Sequence, residues 1–177
     1  SAVQQLSSGL ASFLGGIILV EGADGKLQAP SMLLKKNVKT WIDSMRMISD
    51  SVDIFDASIL NIGLDLKFKV ASGTNGVTLL SDIKERVYEE LMTILPDVGE
   101  PFYISEVFRI LKSIPEVIDV PQRDGVVVRN LVGSGRYSSY SYNIQENMSP
   151  DESLIYVPKN TIWEIKYIDD IRGSITQ

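Results

Sequence analysis

Leu60-Asn61-Ile62-Gly63-Leu64-Asp65-Leu66-Lys67-Phe68-Lys69-Val70 carries an apolar residue at every even position and Asn, Gly, Asp or Lys at every odd one. Alternation with a period of two over this length predicts a strand with one face on a core and the other in water. A slip of one residue would turn every apolar side chain of the stretch outward, so the register is strongly specified. Helical patterns flank it on both sides, and it is therefore expected to carry the central sheet.

Working outward, Pro30-Ser31 opens the upstream helix, with Ser31 as candidate N-cap. Leu34, Val38, Trp41, Ile42, Met45 and Ile48 follow at helical spacing, while Lys35, Lys36, Lys39 and Asp43 fall away from that stripe. This pattern predicts an amphipathic helix packed on a sheet. Nearer the start, residues 3–14 read as a short helix, 16–21 as a buried strand and Asp24-Gly25 as a turn. Downstream, Ile83, Val87, Leu91 and Ile94/Leu95 mark a helix over 79–95 that Pro96 ends. Residues 105–113 read as a shorter helix closed by Pro115, and 117–120, 125–129 and 162–168 as strands. Strands alternating with helices on one face predict an α+β fold. We expect a two-layer sandwich of ferredoxin-like βα units, its mainly antiparallel sheet packed by helices on one face. Residues 1–57 are expected to form a strand–helix lobe and 58–177 the main sandwich domain.

Composition narrows the chemistry. The chain of 177 residues is 44% hydrophobic, enough for a sizeable core. It contains no cysteine, which excludes disulfides and thiol chemistry, and no histidine, the commonest general base and metal ligand. No cofactor is expected. Catalysis would fall to carboxylates, Lys, Tyr or Ser. Glu89, Glu90, Glu106 and Glu116 read as solvent-facing helix and turn residues, and adjacent Asp169-Asp170 would point to opposite faces of a strand. Asp50, Asp53 and Asp56 lack the alternation, Gly and distal Glu of a calcium loop, so no metal site is expected. A net charge of −6 argues against a nucleic-acid partner. The apolar run over 10–20 is broken by Gly15-Gly16, and nothing in the sequence predicts a membrane span. Ser1 in place of Met suggests a piece of a longer protein.

Residues 130–152 change character, with Gly133-Ser134-Gly135-Arg136-Tyr137-Ser138-Ser139-Tyr140-Ser141-Tyr142 at their centre. A phosphate-binding loop would need a Lys-Ser/Thr pair that is missing. A stacking platform for single-stranded nucleic acid would suit Arg136 and the tyrosines but not the acidic balance. The stretch reads better as an ordered surface excursion, or as a strand with Tyr140 and Tyr142 on one face. Tyrosines bury large area at small entropy cost, so Tyr137, Tyr140 and Tyr142 are candidate interface residues. Lys35, Lys36 and Lys39 on the upstream helix are candidates of the same kind.

From Leu27 onward the chain resembles a known family. Leu33-Leu34-Lys35-Lys36-Asn37-Val38-Lys39-Thr40-Trp41-Ile42, Arg46-Met47-Ile48-Ser49-Asp50 and Ala57-Ser58-Ile59-Leu60-Asn61-Ile62-Gly63 look like the C-terminal region of the baseplate wedge subunit of contractile-tailed, T4-type bacteriophages, within the baseplate J-like group. Pro101-Phe102-Tyr103-Ile104-Ser105-Glu106-Val107 with Ile114-Pro115-Glu116-Val117 resembles its helix and following strand, with Glu116 where many relatives have Gly. Ile162-Trp163-Glu164-Ile165-Lys166-Tyr167 with Asp170-Ile171-Arg172-Gly173 resembles its terminal strand. The likeness runs in order over residues 27–173. It implies a structural virion protein, assembled in the host cytoplasm, that associates with copies of itself and with other wedge proteins and does no covalent chemistry. Two further classes are weaker: a small-molecule regulatory module of a larger protein, which suits the fold but has no ligand-specific residue in the sequence, and a carboxylate glycosidase, for which no carboxylate pair is visible.

Overall fold

The computed structural model describes residues 14–21, 24–45, 52–71, 76–94 and 96–176. The helix expected over 3–14 lies outside these residues except for Leu14, which opens a strand, and Asp50 lies outside them as well. In chain order the elements are β1 (Leu14–Ile18), β2 (Val20–Glu21), β3 (Leu27–Gln28), α1 (Met32–Met45), β4 (Val52–Asp56), β5 (Ser58–Val70) and α2 (Gly76–Thr93). They continue with β6 (Phe102–Tyr103), α3 (Ile104–Lys112), β7 (Val117–Asp119), β8 (Val126–Asn130), β9 (Leu154–Ile155), β10 (Thr161–Glu164) and β11 (Ile171–Thr176). The chain divides into two compact units, 1–59 and 60–177.

In the first unit β1 and β4 pair in parallel from Leu14 opposite Val52 to Ile18 opposite Asp56. β2 and β3 form a short antiparallel ribbon. Its turn uses Gly25 at φ +72°, where a side chain would be strained, and Asp24 Oδ1 accepts the Lys26 N–H at 3.2 Å. Ser31 caps α1 as expected, its Oγ accepting the Leu34 N–H at 3.2 Å. The burial of α1 departs from the expected stripe. No residue of the helix is fully buried; Lys35, Val38 and Ile42 are half-buried. Trp41 remains 53% exposed and Met32 83% exposed, with Leu33, Leu34 and Met45 also open. Periodicity ranks the faces of a helix by hydrophobicity without saying which is covered; in the fold Lys35 is among the half-buried residues and pairs with Asp56 on β4, Nζ to Oδ1 at 2.5 Å.

The second unit is built around β5, which pairs with β7, β8, β10 and β11. β11 runs parallel to it over Leu64–Lys69, and β8 antiparallel over Ile62–Leu66. These pairings overlap at Leu64–Leu66, so β11 and β8 flank opposite edges of β5. The sheet is mixed, and the unit is α+β. Leu60, Ile62, Leu64, Leu66 and Phe68 are all buried, as the alternation requires. Against that face pack Leu79, Ile83, Val87 and Leu91 of α2, spaced by four residues, and Ile104, Val107, Ile110 and Leu111 of α3. Phe102 and Trp163 meet edge to face in the same core, with ring centres 5.0 Å apart.

The opposite face of β5 divides in two. Towards Val70 it behaves as expected: Lys67 and Lys69 are exposed. Towards Leu60 it does not, because Asn61 is 1% exposed and Gly63 is buried. A covering segment has folded over that end, and Gly63 allows it. A Cβ there would stand 3.0 Å from the Asp170 carbonyl oxygen and 3.1 Å from both Arg129 Nη2 and Leu131 Cδ1.

The single strand expected over 162–168 is a second correction. β10 ends at Glu164, a 3-10 turn spans Ile168–Asp170, and β11 follows. Ile162, Trp163, Glu164 and Ile165 are buried in succession, so β10 has no water-facing side.

Candidate functional site

Gly63 is covered by Asp170, Arg129 and Leu131, and the segment that reaches Asn61 is the Gly/Ser/Tyr-rich stretch. It forms no strand; a turn over Ser134–Arg136 with positive φ at Gly133, Ser134 and Gly135 reverses the chain. Three polar side chains of the sheet end pin it down. Asn61 Oδ1 accepts the Ser138 N–H at 2.8 Å, and Asn130 Oδ1 accepts the Tyr142 N–H at 2.9 Å. Asp170, 5% exposed, accepts the Tyr137 hydroxyl on Oδ1 at 2.5 Å and the Tyr167 N–H on Oδ2 at 2.9 Å. Asn61 also donates through Nδ2 to Glu164 Oε2 at 2.9 Å, so its amide bridges the excursion to β10. These contacts give buried polar groups partners that water would otherwise supply.

Around this seam the charges are arranged in layers. Arg129 Nε lies 2.7 Å from Asp65 Oδ2, yet out of line for a hydrogen bond, so the pair is held by charge rather than by a directed N–H. The Arg136 guanidinium sits 4.1 Å from the centre of the Tyr167 ring, and Tyr137 and Tyr167 meet edge to face at 6.2 Å. Burial, followed by the hydrogen bond to Asp170, raises the Tyr137 hydroxyl above its ordinary pKa of 10.0. Burial likewise raises that of Tyr142.

No family model matches the chain, and no curated protein matches its sequence. The site is therefore read from its own geometry. Tyr140 and Tyr142 stack with ring centres 6.0 Å apart, and the Tyr142 hydroxyl donates to the Tyr156 carbonyl at 2.7 Å. Tyr137, Tyr140 and Tyr142 are each half-buried, so each divides its ring between the fold and solvent. Lys35, Lys36 and Lys39 belong to the other unit; Lys35 is engaged with Asp56, while Lys36 and Lys39 are exposed.

Sequence reasoning missed Asn61, Asn130 and Asp170 as the residues that organise this end. Asn61 occupies a polar position of an alternating strand, where burial leaves no trace in the pattern. Asp170 was expected as a charged strand end. Among the described residues no group of three or more acidic side chains stands close enough to hold a metal ion, and no helix is long and apolar enough to cross a membrane.

Proposed function

We propose that the protein is a structural component of a contractile phage tail baseplate wedge, located in the virion and acting through contacts with copies of itself and with other wedge proteins. The ordered resemblance over residues 27–173 supports the assignment. The observation that carries the mode of action is the open apolar surface of α1, where Met32, Leu33, Trp41 and Met45 are exposed at several positions around the helix, as are Lys36 and Lys39. Exposed apolar groups interspersed with cations are suited to burial against a partner protein. No catalytic step is part of this function.

The test is co-expression with the neighbouring wedge proteins of a contractile phage, followed by affinity capture. We expect the wild-type chain to retain a wedge protein. The Trp41→Ser, Met45→Ser double variant should lose it while keeping its fold by circular dichroism. A chain that captures none of them, or a variant that captures as well as the wild type, would count against this reading.

A further inference from the structure

The sheet of the second unit has a helix-covered face and a face that is open along its Val70 half. On the open half, Arg172 of β11 stands opposite Asp65, Ser174 opposite Lys67 and Thr176 opposite Lys69. Arg172, Ser174, Thr176, Lys67 and Lys69 are all exposed. Asp65 is occupied by Arg129, and Asp119 of β7 stands opposite Lys69. Among the described residues, no ion pair engages Arg172, Lys67 or Lys69. At one residue per 3.3 Å, the three cations form a row about 13 Å long. Such a row is unusual on a chain of net charge −6.

The helix layer of the same unit carries its counterpart. Asp82, Glu85 and Glu89 are exposed on α2, on the side away from buried Leu79, Ile83, Val87 and Leu91. Their spacing of three and four residues lines them up over about 10 Å. Of the other α2 charges, Arg86 pairs with Glu90 and Glu90 with Arg109 of α3, while Lys84 is half-buried on another side of the helix. Among the described residues no ion pair engages Asp82, Glu85 or Glu89. One unit thus presents a cation row on its open sheet half and a somewhat shorter carboxylate row on its helix layer. The two lie on opposite sides of the sheet, so they cannot meet within one chain.

We propose that the open sheet half, through Lys67, Lys69 and Arg172, docks the α2 carboxylate row of a second copy. The contact is head-to-tail, between unlike faces, and can propagate from copy to copy. It deepens the assembly reading by naming the faces through which copies meet, and rests on that reading only for the expectation that they do. An interface of exposed charges is weak and salt-sensitive, because screening shortens its reach to about 10 Å at 0.1 M salt.

The test uses two charge-reversed forms of the whole chain, K67E/K69E and D82K/E89K, studied by light scattering behind size exclusion at low and high salt. Wild-type protein should associate at low salt and dissociate as salt rises. Each form alone should associate about tenfold or more weakly. Their mixture should regain association at low salt, because the intact carboxylate row of one meets the intact cation row of the other and the two reversed rows complement each other as well. A chain carrying both pairs of substitutions should regain self-association. A wild-type chain that stays monomeric at low salt overturns the proposal. So does association that neither form weakens, an outcome that leaves capture of wedge proteins through α1 untouched. Oligonucleotide binding by wild type but not by K67E/K69E, without self-association, would assign the face to nucleic acid and overturn it also.

Discussion

Gly63 shows how one missing side chain decides what a sheet face becomes. With a Cβ at this position, the Asp170 carbonyl, Arg129 and Leu131 would all stand too close, and they would have to give way. We expect Gly63→Ala to destabilise the protein by about 1–3 kcal/mol, as overpacking against backbone does. Its urea midpoint should fall with the slope unchanged; an unaltered midpoint would show that the cover yields freely. Tyr137 offers a second residue-scale test. Its raised pKa means that the folded state favours the neutral hydroxyl, so this contribution is complete below the unfolded value of about 10 and is lost as pH rises through the folded value. Tyr137→Phe should therefore melt below wild type at neutral pH by the equivalent of about 1 kcal/mol, with the gap closing above about pH 10. No gap at neutral pH would show that the hydroxyl–Asp170 bond contributes nothing, and a gap that does not narrow above about pH 10 would show that its ionisation is not linked to folding.

At the scale of elements, β5 was the most legible part of the chain. Its alternation placed Leu60 to Phe68 on the core because neighbouring residues of a strand must face opposite ways. Leu64→Ala should cost about 2–5 kcal/mol, since the side chain is fully buried between two strands and the helix layer. Lys67→Ala, three residues on, should stay within about 0.5 kcal/mol because that face is open. Equal effects in chemical denaturation would mean that the two faces are not distinguished. Helix α1 was legible as a helix but not in its orientation. Periodicity ranks faces by hydrophobicity, whereas in the fold Lys35 is half-buried beside Asp56 and Trp41 is open. The terminal segment was the hardest to read. β10 buries every position, which erases the alternation that separates one strand from two.

On the scale of the whole molecule, the hydrophobic cluster among the described residues is built from residue 60 onward. Its described members thus all lie in the second unit, and a fragment spanning 58–177 should fold alone. We expect it to keep its near-ultraviolet dichroism and a single cooperative transition. Loss of both would show that the first unit is required for folding. The expected boundary at residue 57 and the structural division at 59 fall close together, and both lie where the long strand begins.

By itself the sequence determined the fold class, the register of β5, the helices α1, α2 and α3 and the absence of histidine and thiol chemistry. These follow from local periodicity, capping and composition, which short stretches carry in full. Only the tertiary structure decided that Asn61, Asn130 and Asp170 gather the tyrosine-rich excursion over one end of the sheet. It alone also set the Lys67, Lys69 and Arg172 row on the half left open. Both depend on residues from 12 to 107 positions apart becoming neighbours, for instance Asn130 with Tyr142, Asn61 with Ser138 and Asp65 with Arg172. No pattern within a single element records such a meeting, because a polar residue reads alike whether water or another strand satisfies it.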